Sequence, residues 1–244
     1  MIIVDGISFK YKEREVLRDI KFKIEKGNIV SLLGVNGSGK TTLLRTINRI
    51  LKPHRGTVLI DGLNVGRMTD NQLASTFGYM PQKSNGVFCT VYEAVLLGRK
   101  PHIRWNVTEK DEEKVRSILK LMGLEEFSLR NTNELSGGEL QKVIIARALA
   151  QEPTVLLLDE PINHLDIKNQ IEVMNLITGI TRKLKIITIV VMHDLNTALR
   201  FSDKFILLKD GQIYAFGDRN VLNPESIREV YGIDTLIHDI KGIP

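Results

Sequence analysis

The 244-residue sequence carries 34 Lys and Arg against 29 Asp and Glu, with 43% hydrophobic and 26% charged residues. That length suits one large or two small domains with a substantial core, and the composition excludes disorder. A single cysteine (Cys89), no apolar run near membrane-span length and no long Lys/Arg block exclude a disulfide framework, a Cys-based zinc cluster, a membrane span and a polybasic patch, leaving a mildly basic soluble chain in a reducing compartment as the expectation.

Strand-like and helix-like segments alternate, which predicts an α/β fold. The start, Met1-Ile2-Ile3-Val4-Asp5, lacks a basic segment ahead of an apolar one, so no secretory signal is expected. Ile20, Phe22 and Ile24 alternate with lysines and Glu25, as on a half-buried strand. Residues 28–33 form an apolar strand that runs into Gly34-Val35-Asn36-Gly37-Ser38-Gly39-Lys40-Thr41, the G-x-x-x-x-G-K-[ST] pattern of a phosphate-binding loop. Its glycines allow a tight loop whose N–H groups point inward at a phosphate, and the following helix adds the positive end of its dipole. In such a loop Lys40 reaches the β- and γ-phosphates and the Thr41 hydroxyl ligates Mg²⁺. Leu43, Leu44, Ile47, Ile50 and Leu51 predict one helix face that stops at Lys52-Pro53. Residues 57–60 read as a strand ending at the turn pair Asp61-Gly62.

Between about 83 and 150 the pattern turns helical, as a block inserted into the α/β frame. Thr108 and Asp111 mark a helix start, Val115, Ile118, Leu119 and Met122 one face, and Gly123 its end. Leu135-Ser136-Gly137-Gly138-Glu139 opens a further helix. Ser136-x-x-Glu139 is by itself a capping box, but two glycines in a first turn weaken a helix and suit the close approach of an anionic ligand. Residues 155–158 predict a buried strand ending in Asp159-Glu160. Next to the phosphate-loop strand, such an end puts Asp159 beside the metal and leaves Glu160 to polarise an attacking water as general base. Residues 186–192 read as another buried strand, and 209–212 as a hairpin turn. His54, His102, His164 and His238 show no metal-ligand spacing and read as structural or surface residues.

The phosphate loop, the Leu-Ser-Gly-Gly-Glu run and the Asp159-Glu160 strand end, in this order, resemble the ATP-binding cassette (ABC) ATPase family over nearly the whole chain. The resemblance implies one nucleotide-binding domain over residues 1–244: a P-loop NTPase core with an N-terminal antiparallel β-subdomain and an α-helical subdomain inserted at about 83–150. It implies ATP and Mg²⁺. Gly34, Asn36, Gly37, Ser38, Gly39, Lys40, Thr41 and Thr42 would hold the phosphates, and Tyr11 resembles the aromatic that stacks on adenine. Gln82, after Tyr79-Met80-Pro81, resembles the Q-loop glutamine, His193 the switch histidine, and Asn163-His164-Leu165-Asp166 the D-loop. Thr41, Gln82 and Asp159 would hold the metal, with Glu160, His193, Gln82 and Lys40 carrying the chemistry. Ser136, Gly137, Gly138 and Glu139, the family signature, and Asp166 would meet the nucleotide of a facing copy. Departures from the family pattern are Val35, Ile162 and Leu140, where Pro, Thr or Ser, and Arg or Gln are common.

One set of motifs per chain implies a second copy of itself as partner, in a head-to-tail ATP-bound homodimer. The resemblance further implies a separate integral-membrane permease, indirectly a substrate-binding protein, a position on the cytoplasmic face of the membrane, and no nucleic acid. Residues 90–102 (Thr-Val-Tyr-Glu-Ala-Val-Leu-Leu-Gly-Arg-Lys-Pro-His) and 230–233 (Val-Tyr-Gly-Ile) resemble stretches of cassettes that serve ferric-siderophore, haem and vitamin B12 importers. The expectation is that Val91, Val95 and Leu96 partly line a permease-docking surface with Arg99 and Lys100 at its rim. The alternatives are a soluble ABC ATPase of translation, DNA repair or chromosome structure, and an importer or exporter subunit for another solute. A single cassette, with no heptad run between Lys40 and Ser136, speaks against the soluble classes.

Overall fold

Alternating apolar residues and tight turns set the first strands of the chain, and buried runs set the later ones. The computed structural model describes residues 1–82 and 88–237, so the first positions of the predicted helical stretch, 83–87, and His238 lie outside the described residues. In chain order the elements are β1 (Ile2–Tyr11), β2 (Arg14–Ile24), β3 (Ile29–Leu33), α1 (Lys40–Ile47), β4 (Arg55–Ile60), β5 (Leu63–Asn64), α2 (Asp70–Thr76), β6 (Phe77–Met80) and α3 (Val91–Leu97). Then follow α4 (Glu109–Leu121), α5 (Gly137–Leu149), β7 (Val155–Asp159), α6 (Ile167–Leu184), β8 (Ile187–Val191), α7 (Leu195–Phe201), β9 (Lys204–Lys209), β10 (Gln212–Gly217) and α8 (Pro224–Tyr231). They fall into two units, Met1–Met68 with Thr181–Pro244, and Thr69–Ile180.

The first unit holds an antiparallel sheet in the order β2-β1-β4-β5. Val4 pairs with Phe22 and Ile7 with Ile20, so the alternation read from the sequence turns one face of β2 into core. The same unit holds β10-β9-β3-β8, with β3 parallel to both β8 and β9. Strands β3 and β8 are buried at every position, the pattern of parallel strands covered on both faces. Register pairs Leu32 with Val191, so β3 and β8 end at the same edge. The predicted hairpin at 209–212 joins β9 to β10.

Helix α1 is shorter than its apolar face predicts. Arg49 takes a left-handed φ of 60°, the Leu51 N–H turns back to the Arg45 carbonyl, and Ile50 is left 57% exposed. A left-handed residue closes the last turn and diverts the chain before Ile50 and Leu51 can join the helical face.

In the second unit β6 and β7 run parallel, Met80 beside Leu158, so both strands also deliver their next residues to one edge. Capping boxes start α2 (Thr69 with Gln72), α3 (Thr90 with Glu93) and α5 (Ser136 with Glu139). Helices α3, α4 and α5 bury Val95, Val115, Ile118, Val143 and Ala146. Gly98 permits the closest approach in this block: a Cβ there would stand 2.1 Å from the Arg147 carbonyl oxygen.

Candidate active site

In the first unit the phosphate loop leaves β3 and enters α1. Gly34 is buried at φ 148°, and an added Cβ would lie 2.3 Å from the Leu208 carbonyl oxygen, so only glycine fits. The Lys40 ammonium folds back into its own loop and donates to the Gly34 carbonyl (2.7 Å) and the Val35 carbonyl (3.0 Å). Behind the loop, the Gly211 N–H donates to the Ser38 carbonyl (3.2 Å) and the Gly34 N–H to the Tyr231 hydroxyl (2.9 Å). Helix α1 starts at Gly39 with no side-chain cap and no acidic residue in its first turn. The Ser38 hydroxyl oxygen is buried with no hydrogen-bond partner among the described residues. An uncapped helix start and an orphaned buried hydroxyl beside a lysine fit a bound phosphate, which accepts from such donors. Val35 sits at the loop's outer side without disturbing this arrangement.

Two more predicted residues belong to this unit. His193 is exposed two residues after β8, at the edge from which the phosphate loop also leaves, and Asp194 caps α7 by accepting the Thr197 N–H (2.6 Å). Tyr11 ends β1 with 43% of its surface exposed and its ring packed edge-on against Phe9 at 4.7 Å. An aromatic face of this kind remains available for stacking.

The second unit gathers side chains instead of backbone. Asp159 is fully buried at the end of β7, and Glu160 follows it at a left-handed φ of 57°. One Glu160 carboxylate oxygen accepts from the Gln82 amide (2.8 Å) and from the Asn163 amide. Gln82, Glu160 and Asn163 line a cavity of about 440 Å³ together with Gly137, Leu140 and His164. Asn163 is a partner that the sequence did not reveal: it stood in the D-loop resemblance with no role, and only the turn after β7 aims its amide at the acid.

In the signature segment, the Ser136 N–H and hydroxyl both donate to the Glu139 carboxylate (2.8 Å each), and the Ser136 N–H holds that carboxyl below its usual range. Gly137 is exposed, and among the described residues only Leu165 lies near a hypothetical Cβ, so its backbone is open to a ligand. Gly138 has a different reason to be glycine: a Cβ there would lie 2.7 Å from the Asn169 side chain of α6. Asp166 accepts the Asn169 N–H and side-chain amide (2.8 Å each) at the start of α6, and the backbone N–H is the main cause of its lowered pKa. Ile162, where a hydroxyl is common in the resembled family, is a buried core residue.

Of the docking surface expected from Val91, Val95, Leu96, Arg99 and Lys100, only Leu96, half-buried, and Lys100, exposed, reach the surface of the unit. Val91 and Val95 are 0% exposed and belong to the core of the helical block. Arg99 is 6% exposed. It donates to Asp111 (3.1 Å), to the Ala150 carbonyl (2.8 Å) and to Glu152 (2.8 Å). Asp111 is held below the usual carboxylate range first by the Thr108 hydroxyl and further by Arg99. The His102 ring bonds the Gln151 carbonyl at 2.9 Å. The Gly-Arg-x-Pro-His run is therefore a clamp onto the end of α5, and only Lys100 of the predicted rim is exposed.

Against known proteins, the sequence model of the family described as ABC transporter matches residues 17–163. The chain is 59% identical over 244 residues to an uncharacterized ABC transporter ATP-binding protein of Methanocaldococcus jannaschii, covering 100% of this chain and 96% of that protein. It is 36% identical to the iron(3+)-hydroxamate import ATP-binding protein of Bacillus subtilis, over 96% of this chain and 88% of that one. Among solved structures it resembles a transporter classed as of metal-chelate type in an inward-facing conformation (TM-score 0.84, 28% identity, 96% and 89% coverage). It also resembles a dimeric ATP-binding cassette in a post-hydrolysis state bound to ADP and Pi (TM-score 0.77, 31% identity, 89% and 98% coverage).

Proposed function

The chain belongs to the ABC transporter family, and from that premise we propose that this ATP-hydrolysing subunit powers import of a metal chelate (ferric siderophore, haem or cobalamin) through a separate membrane permease. The cargo reading is carried by its 36% identity to an iron(3+)-hydroxamate import subunit along almost the full length of both. The helical block at about 83–150 is the part taken to meet the permease, and the working position is the cytoplasmic face of the membrane. No helix among the described residues is long and apolar enough to cross it.

In this reading ATP is the substrate. Lys40 exchanges its loop carbonyls for phosphate oxygens, while the loop N–H groups and the Ser38 hydroxyl complete the cradle. Thr41 and Asp159 would hold Mg²⁺ through hard oxygen ligands, and its charge would offset that of the phosphates. Glu160 takes the proton of the attacking water, Gln82 orients that water, and His193 steadies charge on the γ-phosphate. The exposed Gly137 backbone serves the nucleotide of a facing copy, so the working unit is a homodimer.

Uptake of labelled ferric hydroxamate, haem and cobalamin in cells deleted for this gene tests the cargo. Loss of one of these with normal uptake of an amino acid and a sugar supports the proposal. Normal uptake of all three metal chelates with loss of an unrelated solute overturns it.

A further inference from the structure

The C-terminal helix lies far along the chain from the phosphate loop, yet the two meet at one atom pair. The Gly34 N–H donates to the Tyr231 hydroxyl at 2.9 Å across 197 positions of sequence. Gly34 is buried, and a buried N–H without an acceptor is costly, so this hydroxyl does something the backbone ladder does not. The same residue is tied on its other side, where its carbonyl accepts from Lys40 at 2.7 Å. A line of two hydrogen bonds therefore runs from Tyr231 through Gly34 to the lysine that faces phosphate.

Tyr231 is well placed to hold such a line. It ends α8, whose Ile227 and Val230 are buried, and Gly232 follows at φ 73°, closing the helix. Asn223 caps the other end by accepting the Ser226 N–H (2.9 Å). Both ends of α8 are thus pinned and the hydroxyl has little freedom to drift. Burial pushes its pKa up, so it remains a neutral oxygen able to accept.

We propose that Tyr231 is a positioning residue for nucleotide binding: its hydroxyl fixes the Gly34 N–H and so anchors the residue whose carbonyl sets the resting place of the Lys40 ammonium. When phosphate displaces that carbonyl from Lys40, Gly34 keeps its Tyr231 bond and the loop keeps its shape. The proposal rests on nucleotide binding alone and not on the cargo, so a failed uptake test leaves it standing.

Tyr231→Phe in the full-length chain removes the acceptor and keeps the ring. Dissociation of a fluorescent ADP analogue and steady-state ATPase kinetics are the readouts. The expected result is roughly five- to thirty-fold weaker ADP binding, with KM raised alongside and kcat at saturating ATP within about twofold of wild type. Val230→Ala loosens α8 without touching the hydroxyl, and should lower Tm while leaving ADP affinity unchanged. Wild-type affinity in Tyr231→Phe, or an equal loss in Val230→Ala, overturns the proposal. Should Tyr231→Phe not fold, exchange of the Gly34 amide in the wild-type chain decides: slow exchange supports the bond, and exchange as fast as in an exposed loop removes it.

Discussion

The two units hold their functional groups by opposite means. In the first, the phosphate loop is shaped by backbone: a glycine that no other residue can replace, a lysine folded onto loop carbonyls, and two bonds from behind. In the second, side chains hold side chains: Gln82 and Asn163 on Glu160, and the Ser136 hydroxyl on Glu139. A backbone cradle resists rearrangement, whereas amide-to-carboxylate bonds at a part-exposed cavity can be traded for water or substrate without unfolding anything. The difference suits a binding element that must be ready and a reacting element that must change partners.

The largest effect should come from cutting chemistry away from binding. Glu160→Gln is expected to slow turnover by roughly 10²–10⁴-fold while ADP affinity stays at the wild-type level, and to accumulate an ATP-bound dimer in size-exclusion chromatography. Turnover at the wild-type rate would remove Glu160 from the reaction. Gly34→Ala strikes the backbone side. The Cβ meets the Leu208 carbonyl at 2.3 Å, so urea unfolding should show a loss of about 3 kcal/mol together with loss of nucleotide binding. A variant of native stability would mean the loop is less rigid than its geometry implies.

Asn163→Ala tests whether the side-chain network orients the base. Turnover should fall roughly tenfold with KM unchanged, since a donor that orients the carboxylate is lost. A matching rise in KM would instead place Asn163 on the nucleotide. The smallest effect belongs to the signature cap. Glu139→Gln keeps the capping box but loses the charge at a helix start, worth about 0.5 kcal/mol after screening. Because the folded-state pKa of Glu139 is lowered, its contribution is present above 4.5, the ordinary value, and disappears as pH falls through the depressed one. Denaturation curves of wild type and variant should differ at pH 7 and converge in strong acid.

Much of the site was legible because its motifs are contiguous. Residues 34–41, Ser136 to Glu139 and Asp159-Glu160 each place their chemistry within one turn of chain, and the strands around them read as apolar runs. What escaped depends on partners distant in sequence. Arg99 looks like a surface cation until Asp111 and Glu152 close on it, 12 and 53 positions away. The packing reason for Gly138 to be glycine shows only when Asn169 of α6 occupies the space beside it, 31 positions away. The shortness of α1 was hidden for a different reason: apolar spacing continues through Ile50, but the left-handed turn at Arg49 has no glycine to announce it.

Gly98 carries a consequence for reading kinship among cassettes. With the Arg147 carbonyl only 2.1 Å from where a Cβ would stand, any substitution there pushes α3 and α5 apart, and Arg99 then loses its seat on Ala150. Replacement is filtered by folding before any transported solute has a say. Two proteins that share this Gly-Arg pair share a solution for joining helices, and evidence of what they carry has to come from surfaces that folding leaves free to vary.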